Sequence, residues 1–287
     1  MKKLLLATFL LTTALVPSMV AGKDIKIGVI LGFTGPIESL TPAMAKSAEL
    51  AFKEASDSGL LLGGKKIAAV RADSTCIDSA AATAAAERLI TSDGVAAILG
   101  ADCSGVTGAI ANNVAVPKGV VMISPSATSP GLSTIKDNGF FFRTSPSDAR
   151  QGQVLANVVK RRGIKEVAVT YTNNDYGKGL ANSFSNAFKA SGGKVSISAG
   201  HEDGKADYSA EVGALSAAGS KHLAVFGYVD QGGKGIIRAS LDSGAFNSFI
   251  LADGMVGPTL IKAIGKEPVD AFGTRPGGKS KGAQIYM

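Results

Sequence analysis

Two short segments rich in glycine and hydroxyl side chains contain the residues of this chain best suited to binding a small anion. Residues 100–105 (Gly-Ala-Asp-Cys-Ser-Gly) follow the apolar run 95–99, and residues 124–129 (Ser-Pro-Ser-Ala-Thr-Ser) follow the apolar run 120–123. Both apolar runs are typical of buried strands. Where a parallel strand gives way to a helix, the first helical N–H groups lack partners, and nearby hydroxyl groups complete a site of carboxylate size. The sequence therefore predicts binding at these strand ends.

Side chains that could perform covalent or metal chemistry are few. The two histidines, His201 and His222, have no second His, Cys or Glu at metal-ligand spacing. Ser104, Ser126 and Ser129 all lack the Gly-x-Ser-x-Gly context of a nucleophile elbow. We therefore predict no catalytic residue, no metal and no cofactor, so that a secreted hydrolase is the less favoured interpretation.

Nucleotide and nucleic-acid binding are also disfavoured. Residues 273–280 match the P-loop expression, but the chain ends soon after Ser280, which leaves no long helix to receive phosphates. The formal net charge of +7 comes from scattered basic residues, and the chain has no Trp and only 5 Tyr. Nucleic-acid binding needs a basic stripe with aromatic platforms. We interpret residues 273–280 as a surface loop and expect no nucleic-acid partner.

The N-terminus indicates export from the cytoplasm. Two lysines precede an apolar segment at residues 4–16, and Ala21 and Gly22 provide a small-residue cleavage point. The apolar segment is shorter than the roughly 20 residues that a membrane span needs. No cysteine lies near the cleavage point, so a lipid anchor is not expected. Residues 1–22 are therefore predicted to be a cleavable signal peptide.

The chain has two cysteines, Cys76 and Cys103. In an exported protein two cysteines most simply form a disulfide. Each lies just past the end of a predicted strand, so a bridge would brace the turn that contains Ser104. The alternative, a catalytic thiol, would require a His partner.

Strand and helix signals alternate along the chain and predict a doubly wound α/β architecture. Strands are predicted at residues 25–31, 66–73, 95–100 and 120–124, with helices at 41–58, 78–92 and 105–116 between them. After residues 140–146 the alternation resumes, with Ser147 as a helix cap and strands at 166–171, 194–199 and 222–226. Two parallel-sheet lobes that share a cleft are the simplest architecture.

An ordered set of motifs runs through the chain. It comprises the leader, the segment 27–36 (Ile-Gly-Val-Ile-Leu-Gly-Phe-Thr-Gly-Pro), the two cysteines, 122–128 (Met-Ile-Ser-Pro-Ser-Ala-Thr), 175–180 (Asp-Tyr-Gly-Lys-Gly-Leu) and 252–254 (Ala-Asp-Gly). From about Asp24 to Gly273 the set resembles the branched-chain amino-acid-binding proteins of ABC transporters, which are type I periplasmic binding proteins. The resemblance implies two hinged α/β lobes that bind an amino acid in the cleft between them.

The resemblance also implies the domain boundaries. It places the first lobe at residues 23–145, the second at 146–272, and a segment crossing back to the first lobe at 273–287. Family members continue well beyond this point, so we expect the chain to be truncated at its C-terminus. The first lobe would then be incomplete and would expose an unfinished sheet edge.

The resemblance assigns the α-carboxylate and the α-ammonium of a bound amino acid to particular residues. Ser104 would donate its hydroxyl to the α-carboxylate, together with the backbone N–H and hydroxyl of Thr128. Backbone carbonyl groups around Ser126 and Ala127, with the carboxylate of Asp253, would receive the α-ammonium. These roles agree with the anion site inferred from the strand ends, because no cation is needed to hold the carboxylate.

Two tyrosines, Tyr176 and Tyr228, would close over the ligand from the second lobe. Alternatives stay open at this point, since Tyr176 could be a packing residue and Asp253 a helix cap before Gly254. Leu40 stands where family members frequently have an aromatic residue, which is compatible with an aliphatic ligand.

The resemblance implies a monomeric periplasmic solute receptor that delivers an amino acid to the membrane permease of an ABC transporter. Because of Asp102 and Asp230, a polar or amide-bearing ligand is an alternative to an aliphatic one. An exported sensor subunit, or a receptor for amides or small carboxylates with the same fold, is the alternative function.

Overall fold

The structure is a computed structural model that describes residues 24–265, 267 and 269–277. The predicted signal peptide and the end of the predicted crossing segment lie outside these residues. The strands are β1 (Ile25–Leu31), β2 (Ile67–Asp73), β3 (Ala97–Gly100), β4 (Val121–Ser124), β5 (Phe141–Arg143), β6 (Glu166–Thr172), β7 (Lys194–His201), β8 (His222–Phe226), β9 (Ser248–Leu251) and β10 (Asp270–Gly273). The helices are α1 (Thr41–Asp57), α2 (Ser79–Thr91), α3 (Ser104–Ile110), α4 (Asp148–Arg161), α5 (Asp175–Ala190), α6 (Ser209–Ala217), α7 (Gly232–Ser243) and α8 (Pro258–Ile264).

The strands form two parallel five-stranded sheets. The first lobe contains the order β2-β1-β3-β4-β5, and the second lobe contains β7-β6-β8-β9-β10. Within each lobe the first strand along the chain therefore lies between the second and the third. In such sheets ligands bind outside the carboxyl ends of the strands, at the point where the strand order reverses. The prediction of two doubly wound parallel-sheet lobes is confirmed.

Three strands were not predicted. β5 and β9 contain three and four residues, and β10 pairs with β9 at the edge of the second sheet. The second sheet consequently has five strands where the sequence indicated three. Strands this short, without alternation of apolar and polar residues, give too weak a periodic signal to be recognised.

At the starts of α2, α4 and α5, short polar side chains accept hydrogen bonds from the free N–H groups. Asp78 accepts hydrogen bonds from the backbone N–H groups of Ala80 and Ala81 at the start of α2. Ser147 accepts one from Ala149 at the start of α4, which confirms the predicted cap. The strand ends and helix starts that face the cleft are thereby held in place.

A disulfide joins Cys76 to Cys103, as predicted. Because β1 lies between β2 and β3, the bridge spans the end of β1 and ties the turn after β2 to the start of α3. Both cysteines are buried. The bridge thereby supports the turn from which Ser104 enters the cleft.

The described part of the chain contains no helix long and apolar enough to cross a membrane.

Candidate functional site

A cleft of about 390 Å³ lies between the two lobes. It is lined by residues from the ends of β3 and β4 in the first lobe and by residues that follow β6, β8 and β9 in the second. The predicted ligand-binding residues that line it are Leu40, Ser104, Ser126, Thr128, Tyr176, Tyr228 and Asp253. Ala127 is fully buried behind this surface and is not part of the lining.

Ser104 is the first residue of α3 and connects the two hydroxyl-rich segments. Its Oγ accepts hydrogen bonds from the backbone N–H groups of Thr128 (3.2 Å) and Ser129 (3.0 Å). Within the described residues its own hydroxyl hydrogen has no acceptor, so this hydrogen is available for donation into the cleft. The N–H of Thr128 was expected to face the ligand directly, but here it donates to Ser104.

The loop after β4 is held by hydrogen bonds from its neighbours. Ser126 Oγ donates to the Asp102 carbonyl (3.0 Å), and Ala127 N–H donates to Ser124 Oγ (3.0 Å). The carbonyl of Ala127 accepts from Arg143 (3.2 Å) and from Ser145 Oγ (3.1 Å). The loop is thus fixed by hydrogen bonds within the first lobe, which leaves the exposed side of Ser126 free to face a ligand.

Asp102 lines the cleft, but its carboxylate is engaged within the first lobe. It accepts hydrogen bonds from the N–H groups of Gly32 (2.9 Å) and Cys103 (3.1 Å) and from Ser74 Oγ (3.3 Å). Burial raises the pKa of this carboxyl, and the same hydrogen bonds oppose the rise. Asp102 therefore joins the ends of β1, β2 and β3 instead of presenting a free acid to a polar ligand.

Asp253 provides the carboxylate that the second lobe contributes to the cleft. It begins a 3₁₀ turn (Asp253–Met255) after β9, and its Oδ1 accepts a hydrogen bond from the Tyr176 hydroxyl (3.0 Å). The same hydroxyl accepts from the N–H of Gly254 (3.2 Å). Burial raises the pKa of Asp253, since no Lys, Arg or His in the described part of the chain forms an ion pair with it. The site can therefore take up a cation.

The contacts of Asp253 and Tyr176 bear on the alternatives of a helix cap and a packing residue. Ala252 occupies the cap position of the 3₁₀ turn, so Asp253 is not its cap. The Tyr176 ring stacks on that of Tyr228, with centroids 5.2 Å apart and planes at 17°. Tyr228 Oη in turn accepts from Asn174 Nδ2 (3.3 Å). The Tyr176 ring thus packs on Tyr228, and its hydroxyl faces Asp253 in the cleft lining.

An apolar wall, formed by Ile37, Leu40, Ala43, Met44 and Val256, lines another part of the cleft, and Arg275 and Pro276 line it as well. Leu40 is packed against the apolar cores of both lobes. Apart from Leu40 these residues were not predicted, although their spacing at the start of α1 (40, 43, 44) is that of one helix face. The wall gives the cleft a surface suited to an aliphatic group.

The other candidate residues lie outside the cleft. Asp230 accepts a hydrogen bond from the N–H of Ser39 (2.8 Å), in a contact between the lobes. His201 Nδ1 lies 2.8 Å from Thr170 Oγ1, and burial lowers the pKa of this ring to about 4. His222 Nδ1 lies 2.8 Å from Ser248 Oγ. These side chains hold the second lobe and its contact with the first.

The periplasmic binding protein family model matches residues 24–274 of the chain. The chain belongs to this family. A Leu/Ile/Val-binding protein homolog from Brucella melitensis is 33% identical over 247 residues, covering 84% of this chain and 64% of that protein. The chain therefore spans somewhat less than two thirds of that relative's length.

Two solved structures have the same fold as this chain. A leucine-binding protein from Thermotoga maritima superimposes with a TM-score of 0.74 at 28% identity, covering 84% of this chain and 67% of its own. A branched-chain amino acid transporter substrate-binding protein from Streptococcus pneumoniae, in complex with isoleucine, gives 0.72 at 29% identity with the same coverage. Both support a type I periplasmic-binding fold with two parallel-sheet α/β lobes.

Proposed function

We propose that this chain is the periplasmic solute receptor of an ABC transporter and binds an aliphatic amino acid in the interlobe cleft. The observation that supports this most strongly is the placement of hydroxyl groups on one lobe opposite Asp253 on the other, a partly buried acid that has no ion-pair partner in the described part of the chain. An amino-acid zwitterion has a carboxylate that can accept from the hydroxyl groups and an ammonium that can pair with the acid. The relatives from Brucella melitensis, Thermotoga maritima and Streptococcus pneumoniae, named for branched-chain amino acids, point to the same ligand class.

The carboxylate is received by the first lobe. Ser104 donates its free hydroxyl hydrogen, and Thr128 and Ser129 hold the Ser104 oxygen in position through their N–H groups. Hydrogen bonds to a carboxylate are stronger than those between neutral groups, which makes the Ser104 hydroxyl a suitable donor.

The ammonium is received by the second lobe. Asp253 supplies the counter-charge, and the Tyr176 hydroxyl orients its carboxylate. Burial disfavours the charged form of Asp253, and a bound ammonium offsets this cost. The ligand and the acid therefore stabilise each other in the closed cleft.

The apolar wall receives the ligand side chain. Each buried CH₂ group contributes about 0.8 kcal/mol, which favours leucine, isoleucine and valine over alanine or glycine. The wall has no free acid for a polar side chain, because the Asp102 carboxylate is engaged by Gly32, Ser74 and Cys103.

Ligand contacts in both lobes favour the closed arrangement over the open one. The lobes also touch outside the cleft, where Asp230 N–H donates to the Pro36 carbonyl (3.0 Å) and Ser39 N–H donates to the Asp230 carboxylate (2.8 Å). A membrane permease that recognises this closed form would receive only loaded receptor.

Isothermal titration calorimetry of the chain against leucine, isoleucine, valine, glutamine and benzoate tests the ligand class. We expect saturable binding of the three aliphatic amino acids and much weaker heats from glutamine and benzoate. Binding of benzoate or glutamine in preference to all three would contradict the proposal.

Replacement of Ser104 by alanine is expected to weaken isoleucine binding roughly tenfold to a hundredfold, because a hydrogen bond to a charged group is lost. The buried N–H groups of Thr128 and Ser129 also lose their acceptor, so the variant should be less stable. Ser240→Ala is the matched control, since Ser240 is buried in α7 and bonds to the Ile236 carbonyl. Equal calorimetric affinities of Ser104→Ala and the parent would remove Ser104 from the site.

A further inference from the structure

A buried polar cluster lies beside Asp253, at the start of α4. Asp148, the first residue of α4, is 0% exposed, and within the described residues neither of its carboxylate oxygens has a hydrogen-bond partner. Its backbone N–H donates to the Thr128 carbonyl (2.9 Å), which places it against the loop that carries part of the carboxylate site. Thr128 Oγ1 and Gln151 Oε1 are buried and unpartnered as well. Four buried oxygen atoms thus lie in this region without partners.

Among the residues that the structure describes, no cation forms an ion pair with Asp148. From β5, Arg143 directs its guanidinium to the carbonyl groups of Ala127 and Ser129 and to Ser133 Oγ, so it acts on Asp148 only through its charge. From the turn after β9, Asp253 adds a like charge. From α5, Tyr176 directs its hydroxyl to Asp253.

An unpaired buried carboxylate next to a second acid is unfavourable, and a proton removes the charge. Burial, and then the charge of Asp253, raise the pKa of Asp148 to about 8, while the charge of Arg143 opposes the rise. The geometry and the charges therefore agree that one acid of this pair is neutral when the cleft is empty.

We propose that Asp148 is protonated in the ligand-free protein and releases its proton when the ligand ammonium binds at Asp253. The inference rests on the proposed function, since it needs a cationic ligand group in the cleft. The O–H bond of Asp148 breaks, its proton passes to the solvent, and the ammonium keeps all of its hydrogens. Asp148 is thus a positioning residue that makes the affinity depend on pH.

The sign of the effect follows from the charges. A bound ammonium favours the carboxylate form of Asp148 and lowers its pKa, so ligand binding displaces the proton at a pH below about 8. Affinity should then rise with pH between roughly 6 and 8. The rise should total about tenfold for each unit by which the ligand lowers this pKa, and it should level off above about 8.

Calorimetry with isoleucine tests this between pH 6 and 8.5, in paired buffers of different ionisation enthalpy that report proton release. We expect release of up to about one proton per ligand from the parent near pH 7. Asp148→Asn, which resembles the protonated acid, should bind without proton release and with an affinity that is flat over this range. Asp175→Asn is the matched control, an exposed acid at the first position of α5, and should behave like the parent.

The stability of the ligand-free protein, measured against pH, helps to distinguish failure of this inference from failure of the proposed function. Because the folded state holds the Asp148 proton more tightly than the unfolded state, the parent should lose stability relative to Asp148→Asn as pH rises from about 4 to 8. Binding without proton release, or proton release retained in Asp148→Asn, overturns the inference and leaves the proposed function intact. Absence of binding with every aliphatic amino acid overturns both. If Asp148→Asn does not fold, the proton count of the parent decides, and a value of zero overturns the inference.

Discussion

Replacement of Asp253 by asparagine is expected to weaken the binding of isoleucine by roughly thirtyfold to several thousandfold. The side chain keeps its shape, and the amide oxygen can still accept from the Tyr176 hydroxyl. The counter-charge for the ammonium is lost, however, and truncation of one partner of a buried charge pair costs about 2 to 5 kcal/mol. Titration calorimetry of parent and variant at pH 7 measures the ratio of affinities.

The same substitution should leave the ligand-free protein at least as stable as the parent. Burial raises the pKa of Asp253 in the folded state, so at neutral pH its ionised form opposes folding, and asparagine removes that cost. Thermal unfolding without ligand provides this measurement, with Asp175→Asn as an exposed control in both assays. A variant that binds isoleucine as tightly as the parent would show that the ammonium is held elsewhere.

Loss of the disulfide is expected to lower the free energy of unfolding by roughly 3.5 kcal/mol, the value for a loop of this length in the chain-entropy model. For a chain of this size, that corresponds to a fall in Tm of roughly 7 to 14 °C. The double variant Cys76→Ser/Cys103→Ser should also bind isoleucine more weakly, because Cys103 precedes Ser104 at the start of α3.

Dithiothreitol supplies the internal control for this prediction. The reductant should lower the Tm of the parent to that of the double variant and leave the variant unchanged. Chemical unfolding in urea, with and without the reductant, gives the free energies. If the Tm of the parent and that of the double variant differed by less than a degree, the bridge would not stabilise the first lobe.

The elements that position the site follow well from the sequence. β1 and β8 begin and end where the apolar runs do, and the helices between the strands carry apolar residues at helical spacing. The pairing of Cys76 with Cys103 follows from export and from the number of cysteines. Ser104 and Thr128 could be placed together because parallel strands end at the same edge of a sheet.

Other features depend on contacts that are distant in sequence. The engagement of Asp102 by Gly32 and Ser74 is set by the strand order, so its side chain looked available for a ligand. Asp148 follows a helix-capping serine and resembles an ordinary acid of a first helical turn, and only the packing of α4 against the loop at Thr128 buries it. Neither outcome has a local sequence signal.

A crystal structure of the chain grown with isoleucine tests the central claim most directly. We predict the ligand between the lobes, with its carboxylate within hydrogen-bond distance of Ser104 Oγ and its ammonium within hydrogen-bond distance of the Asp253 carboxylate. The aliphatic side chain should contact Leu40 and Met44. Isoleucine bound outside the cleft, or in the cleft with its ammonium directed away from Asp253, would contradict the account.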